Sequence, residues 1–267
     1  MLRVVFCQIL AMYFLSFGVN AEYLELAETR LFYPQRLGLT NVSFKLRING
    51  LDDYLKASTS IEKIKDVHFD VLWQAPGKVS VKVVGINEKY KQLVEHLIVQ
   101  AHQRLLLIFP IPLSSMLRSY KISEAKNANR ITIKGFDETY SRDVNAIEVV
   151  TDQNGKLMES TLNYPSSQKK STYKTSMKGW SQGKFVVDEI LTHTRTASAE
   201  TYEKVLFEYV VVGGIGLPEK IEIQYQKGLT TEKGKNVSPN GLGAKEEIFF
   251  WDYKLNTNIR PRENLIR

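Results

Sequence analysis

The chain has 267 residues and a single cysteine, Cys7. Cys7 lies in the first apolar stretch, residues 4–17, which follows a short basic start at Arg3 and runs into Gly18, Val19, Asn20 and Ala21. A basic start, an apolar run and a small-residue exit are the marks of a secretory signal peptide, expected to be cleaved after Ala21. The run is short of the ~20 residues a spanning helix needs. Residues 22–267 then contain no cysteine, which excludes a disulfide framework, a thiol nucleophile and thiolate-bound zinc or iron–sulfur clusters. Long apolar runs are missing from the rest of the chain as well. The nearest, residues 105–113, is broken by Pro110 and Pro112. Histidine is scarce, and His68, His96, His102 and His193 include no i, i+4 pair of the kind that holds zinc on a helix. No Gly-x-Ser-x-Gly elbow occurs. Gly213-Gly214-Ile215-Gly216 leads into Leu217-Pro218 and another strand, so it lacks the helix N-terminus that phosphate binding needs and reads as a strand-to-strand turn.

What is present is alternation. Val42, Phe44, Leu46 and Ile48 alternate with Ser43, Lys45 and Arg47, the period of a half-buried strand. Val67, Phe69, Val71 and Trp73, then Val79, Val81 and Val83, flank Ala75-Pro76-Gly77-Lys78. This predicts a β-hairpin, with Pro76-Gly77 suited to the centre of a type II turn. Residues 88–108 change to a helical period: Tyr90, Leu93, Val94, Leu97, Ile98, Ala101 and Leu105 share one face. From about residue 130 the pattern returns to strands, over 131–136, 144–150, 156–164, 171–177, 184–194, 204–212, 220–226 and 247–255. Asp152-Gln153-Asn154-Gly155 is a strong hairpin turn. Residues 22–38, with Pro34, read as a short, weakly ordered lead-in, and residues 228–244 as a mobile loop rich in Gly, Lys, Asn and Ser. The expected fold is mainly β with one or two helices, an α+β class in which a curled antiparallel sheet forms an incomplete β-barrel under a helical lid. Residues 22–267 are expected to form one domain, with its core over about 40–255.

The remaining chemistry is diffuse. Asp52-Asp53 and Glu246-Glu247 are adjacent carboxylates, but adjacency in sequence does not place a pair across a cleft. Lys169, Lys170, Lys174, Lys178 and Lys184 form a basic run with Tyr173 and Trp180 between them. It reads either as a solvated strand edge or as a contact for an anionic membrane surface or an acidic partner. The net charge of +7, together with an export signal, argues against nucleic acid as a partner. Asn41-Val42-Ser43 and Asn236-Val237-Ser238 match the glycosylation triplet. Aromatic side chains on the predicted strands leave two readings open. Either the concave face of the sheet is filled core, or it is a pocket that the helix covers loosely.

The Phe-x-Val-x-Trp-x-x-Pro-Gly-Lys-x-x-Val hairpin (residues 69–83), the turn at residues 152–156 and the Gly-Leu-Pro-Glu-Lys-Ile strand (216–221) together resemble the LolA/LolB-like superfamily of lipoprotein carriers and outer-membrane lipoprotein-sorting proteins. The resemblance implies a periplasmic protein, or a secreted one in a source without that compartment, that needs no cofactor. It also implies a half-barrel whose concave side takes lipid or lipoprotein acyl chains. Phe69, Val71, Trp73, Val83, Phe207 and Tyr209 are then the expected lining, with Leu106 and Phe109 on the lid. No catalytic residue and no metal ligand is expected. The alternative is a structural or regulatory envelope protein that binds another protein through a sheet edge or the 228–244 loop.

Overall fold

The computed structural model describes residues 22–59, 61, 64–87, 89–229 and 244–257. The expected signal peptide with Cys7, the Asn236 triplet and most of the 228–244 loop lie outside the described residues. Twelve strands form one antiparallel sheet in the order β3-β2-β1-β12-β11-β10-β9-β8-β7-β6-β5-β4, and the sheet does not close. The strands are β1 (Asn41–Ile48), β2 (His68–Gln74), β3 (Lys78–Val84), β4 (Lys121–Asn127), β5 (Arg130–Phe136), β6 (Ala146–Asp152), β7 (Leu157–Asn163), β8 (Ser167–Met177), β9 (Phe185–Thr196), β10 (Ala199–Val212), β11 (Ile215–Leu229) and β12 (Ala244–Leu255). Among the described residues there are also four helices, α1 (Glu22–Arg30), α2 (Leu51–Ser58), α3 (Lys91–Ile108) and α4 (Leu113–Leu117), and a 3-10 turn, Pro34–Arg36. The mainly β, incomplete-barrel architecture expected from the alternation is therefore present.

The strands form because their alternation matches the pleat. In β1 the even positions Val42, Phe44, Leu46 and Ile48 are buried, and in β2 Phe69, Val71 and Trp73 are. Both sets face the concave side. The first and last strands meet inside the sheet: β1 pairs with β12, and the Asn41 side chain bonds both the backbone N–H and the carbonyl of Thr257. β3 and β4 are consequently the two free edges. The segment joining them must travel from one edge to the other, and it carries α3 and α4 across the concave face.

The crossing produces two cores. Leu97, Ala101, Leu105 and Ile108 of α3 pack on β1, β2, β10, β11 and β12. Each such Leu or Ile contributes roughly 1.5–3 kcal/mol when fully buried. Leu113 and Leu117 of α4 join Leu24 and Ala27 of α1 over β5, β6 and β7. Between these cores lie β8, β9 and the strap at Leu31–Pro34, tied to the sheet where the Phe32 N–H donates to the Phe185 carbonyl at 2.9 Å.

Three local expectations are corrected, and one unpredicted strand is added. Residues 22–38 are not a weakly ordered lead-in. They contain α1, with Glu22 and Glu25 in its first turn and Arg30 in its last, where each charge suits the helix dipole. The Glu124 carboxylate of β4 accepts the free N–H groups of Tyr23 and Leu24. This cap comes from a residue a hundred positions away, so no local signal announces it. The hairpin turn at Pro76 is not type II. The Gly77 N–H bonds the Gln74 carbonyl, which puts Pro76 third in the turn behind a cis Ala75–Pro76 bond, the type VI arrangement. Residues 121–127, left without an element in the sequence reading, form β4. Finally, β8 to β12 run beyond their predicted limits, and β10 and β11 reach fourteen and fifteen residues.

Candidate functional site

Two hollows open on the concave side, one on each flank of the turn between α3 and α4. The larger, about 660 Å³, is a groove between the α3 C-terminal half and the β2–β3 hairpin turn, with Trp73, Val79, Leu105 and Phe109 in its walls. The smaller, about 220 Å³, lies in the middle of the half-barrel, in the gap between the two cores. It is walled by the strap at Leu31–Pro34, by Tyr173 and Ile190 of β8 and β9, and by Phe207 and Tyr209 of β10. Leu106, Pro110 and Ile111 border both. An apolar cavity of about 150 Å³ already holds a benzene-sized guest, so the central cavity has room for a stretch of hydrocarbon chain.

The lip between the hollows is unusual for a folded surface. Leu106 and Ile111 are 57% and 55% exposed, and Val99, two turns earlier on the same helix face as Leu106, is 56% exposed. Pro110 and Pro112 stiffen the backbone there. Aliphatic side chains gathered at the mouth of a groove mark an interaction surface more often than scattered exposure does.

The walls are chemically quiet. The Tyr209 hydroxyl donates to the Val187 carbonyl at 2.7 Å, and the Tyr173 and Ser160 hydroxyls share a bond at 2.8 Å. Burial pushes the phenols of Tyr173 and Tyr209 up and that of Tyr33 to about 12. All three therefore stay neutral and face the cavity with their rings.

The structure divides the expected lining residues into four groups. Trp73 and Phe109 meet in the groove, stacked at 4.7 Å and 15°. Phe207 and Tyr209 line the central cavity, stacked at 6.0 Å. Leu106 stands on the lip between them. Phe69, Val71 and Val83 border neither hollow. They are buried under α3 as part of the core. The sequence reading missed the strap and Gln35. Strand alternation marks Tyr173 and Ile190 as facing inward, but nothing local marks the strap as the cavity's cover.

Other candidates resolve into structural contacts. Asp52 accepts the N–H groups of Asp66 and Val67 at 2.7 and 3.0 Å, and Asp53 is exposed beside Lys56. Glu246 faces α3 while Glu247 points to the opposite side of the sheet, toward Lys220 and Lys245. Of the basic run, Lys170 pairs with Glu159, Lys174 with Glu189 and Lys178 with Asp188, while Lys184 donates to the Thr29 carbonyl. Gly213 and Gly214, with φ of 57° and 82°, form the two-residue turn between β10 and β11, where positive φ is required. Among the described residues no His, Cys, Asp and Glu side chains gather as a metal site, and no helix is long and apolar enough to cross a membrane.

A third hollow, about 370 Å³, lies beside α1, with Leu24, Glu25, Glu28, Arg36 and Ser114 in its wall. A scan against protein-family models and a search of curated proteins return no match for this chain.

Proposed function

We propose that this protein is an exported, non-enzymatic carrier that shelters the acyl chains of a lipid or lipoprotein on the concave side of its half-barrel. In the envelope it would work as lipoprotein-sorting proteins do, the class its hairpin and turn motifs resemble. The observation that carries the reading is the unfilled middle of the sheet: a cavity of about 220 Å³ with apolar and tyrosine walls, reached beneath a lip of exposed aliphatic side chains. Binding there needs no directional chemistry. Each methylene moved from water into such a site contributes roughly 0.8 kcal/mol, so about six of them supply roughly 5 kcal/mol.

Native mass spectrometry of the purified mature protein, with organic extraction of what it carries, tests this directly. A lipid adduct that is lost on delipidation and regained on incubation with lipid is the expected result. A protein that stays ligand-free and does not protect a fluorescent fatty acyl probe from water counts against it.

A further inference from the structure

Neither the groove nor the central cavity has a Lys, Arg, Asp or Glu side chain in its wall. The polar side chains of the groove are Gln35, His102, Gln103 and Ser115. Gln35 stands apart from the rest. Its Nε2 donates to the Pro110 carbonyl at 2.7 Å, at the lip the two hollows share. Its Oε1 is buried and has no hydrogen-bond donor. A carbonyl can only accept, so the bond to Pro110 fixes which end of the amide is nitrogen and leaves the oxygen as the unsatisfied group. Buried acceptors without donors are rare in folded proteins, and a ligand that brings a donor recovers what the empty state forgoes.

Resting on the carrier reading, we infer that the ligand is an uncharged two-chain lipid with a hydroxyl or amide N–H beside its chain junction. One chain lies on each side of the Leu106–Ile111 lip, and Gln35 Oε1 accepts the donor. Two hollows with a common border give two chains a place with their junction at Pro110. A phosphate brought against these walls would lose its hydration with no Lys or Arg to meet it. An uncharged junction loses little, and its donor finds an open acceptor in Gln35 Oε1. Oε1 is shut from water in the empty protein, so the donor reaches it as the entering ligand parts the lip from the 3-10 turn.

The test is a set of titrations on the delipidated mature protein. The ligands are dioctanoylglycerol, its 3-O-methyl ether, dioctanoyl phosphatidylglycerol, monooctanoylglycerol and an N-acylated diacylglyceryl lipopeptide. Each is also titrated against Gln35→Leu, with a thermal melt to check that the variant folds. Dioctanoylglycerol is expected to bind about fivefold tighter than its methyl ether, which keeps the chains and lacks the donor. It is also expected to bind at least about tenfold tighter than the phosphatidylglycerol. Gln35→Leu is expected to abolish the preference over the ether. A Gln35-dependent gain for the hydroxyl lipid or for the amide of the lipopeptide supports the inference and names the source of the donor. A gain for neither overturns the Gln35 contact. Phosphatidylglycerol binding as tightly as the diacylglycerol overturns the uncharged class, and equal binding of the one-chain lipid overturns the two compartments. Failure of all five lipids to bind removes the carrier reading itself.

Discussion

Arg104 of α3 and Glu246 of β12 are joined by two parallel hydrogen bonds, Nε to Oε1 at 3.0 Å and Nη2 to Oε2 at 2.8 Å. The side chains are only 16% and 19% exposed. Burial works against the guanidinium's charge, and the bonds and charge of Glu246 more than reverse it, so its pKa lies above the ordinary value. The pair ties the helix that crosses the half-barrel to the floor beneath it. Replacing one partner strands the other in a place poor in water. A fully buried pair would lose about 3–5 kcal/mol and an exposed one under about 1, so Arg104→Met is expected to cost about 1–3 kcal/mol in urea melts. Adding Glu246→Leu is expected to restore part of that loss. Strictly additive losses in the double-mutant cycle would show that the two residues do not act as a pair.

Gly216 is expected to tolerate no side chain. A methyl group there would fall inside the Trp180 ring, which rests on the glycine and meets Phe32 edge-on at 5.0 Å and Tyr209 at 5.5 Å. Gly216→Ala must push the indole out of this aromatic cluster, at a cost of about 1–3 kcal/mol. Tryptophan emission should shift together with the melting temperature. An unchanged spectrum and an unchanged melt would mean that the ring is not seated there in solution.

The strands were legible because period-two alternation is a local consequence of one-sided burial, as in Val42, Phe44, Leu46 and Ile48. The helix over 91–108 was legible for the matching reason. What the chain did not disclose locally depends on partners far away. The α1 cap comes from Glu124, and the reason for Gly216 lies in Trp180. The site divides along the same line. Alternation gives Trp73 the same mark as Phe69, Val71 and Val83, and only the resemblance adds Phe207 and Tyr209 to the lining. Which inward residues end under a helix and which face a gap depends on where α3 and α4 cross, and that is a property of the tertiary path.

Stability in acid should depend on Glu28. This carboxylate of α1 is 7% exposed. It accepts the backbone N–H and, at 2.8 Å, the hydroxyl of Ser114, and it pairs with Arg36. Burial alone would raise its pKa, but the bonds from Ser114 and Arg36 outweigh it and hold the carboxyl below its ordinary value of 4.5. A group depressed in the folded state adds stability above its unfolded pKa, and that stability is lost as pH falls through the folded one. The loss therefore begins near pH 4.5 and deepens below it. Glu28→Gln keeps the shape and cannot titrate. Its urea midpoint should fall less than that of the wild type between about pH 5 and pH 3. Parallel curves for the two proteins would mean that Glu28 titrates alike folded and unfolded.

The central cavity and its lip can be separated by two substitutions that leave the sheet intact. Val187 of β9 lines the cavity of about 220 Å³, and Val187→Phe puts an aromatic ring into space that is empty without ligand. Leu106 is more than half exposed, so Leu106→Asp should change stability by no more than about 0.5 kcal/mol while placing a charge where a chain must slide past. If acyl chains lodge in the middle of the half-barrel, the ring shortens the buried stretch by about two methylenes. A fluorescent fatty acyl probe should then bind about tenfold more weakly to Val187→Phe. With Leu106→Asp the loss should fall mainly on the association rate, because the charge obstructs entry and not the final seat. Unaltered probe affinity in Val187→Phe would place the chain in the outer groove, against Trp73 and Phe109, with the middle of the sheet left as packing space.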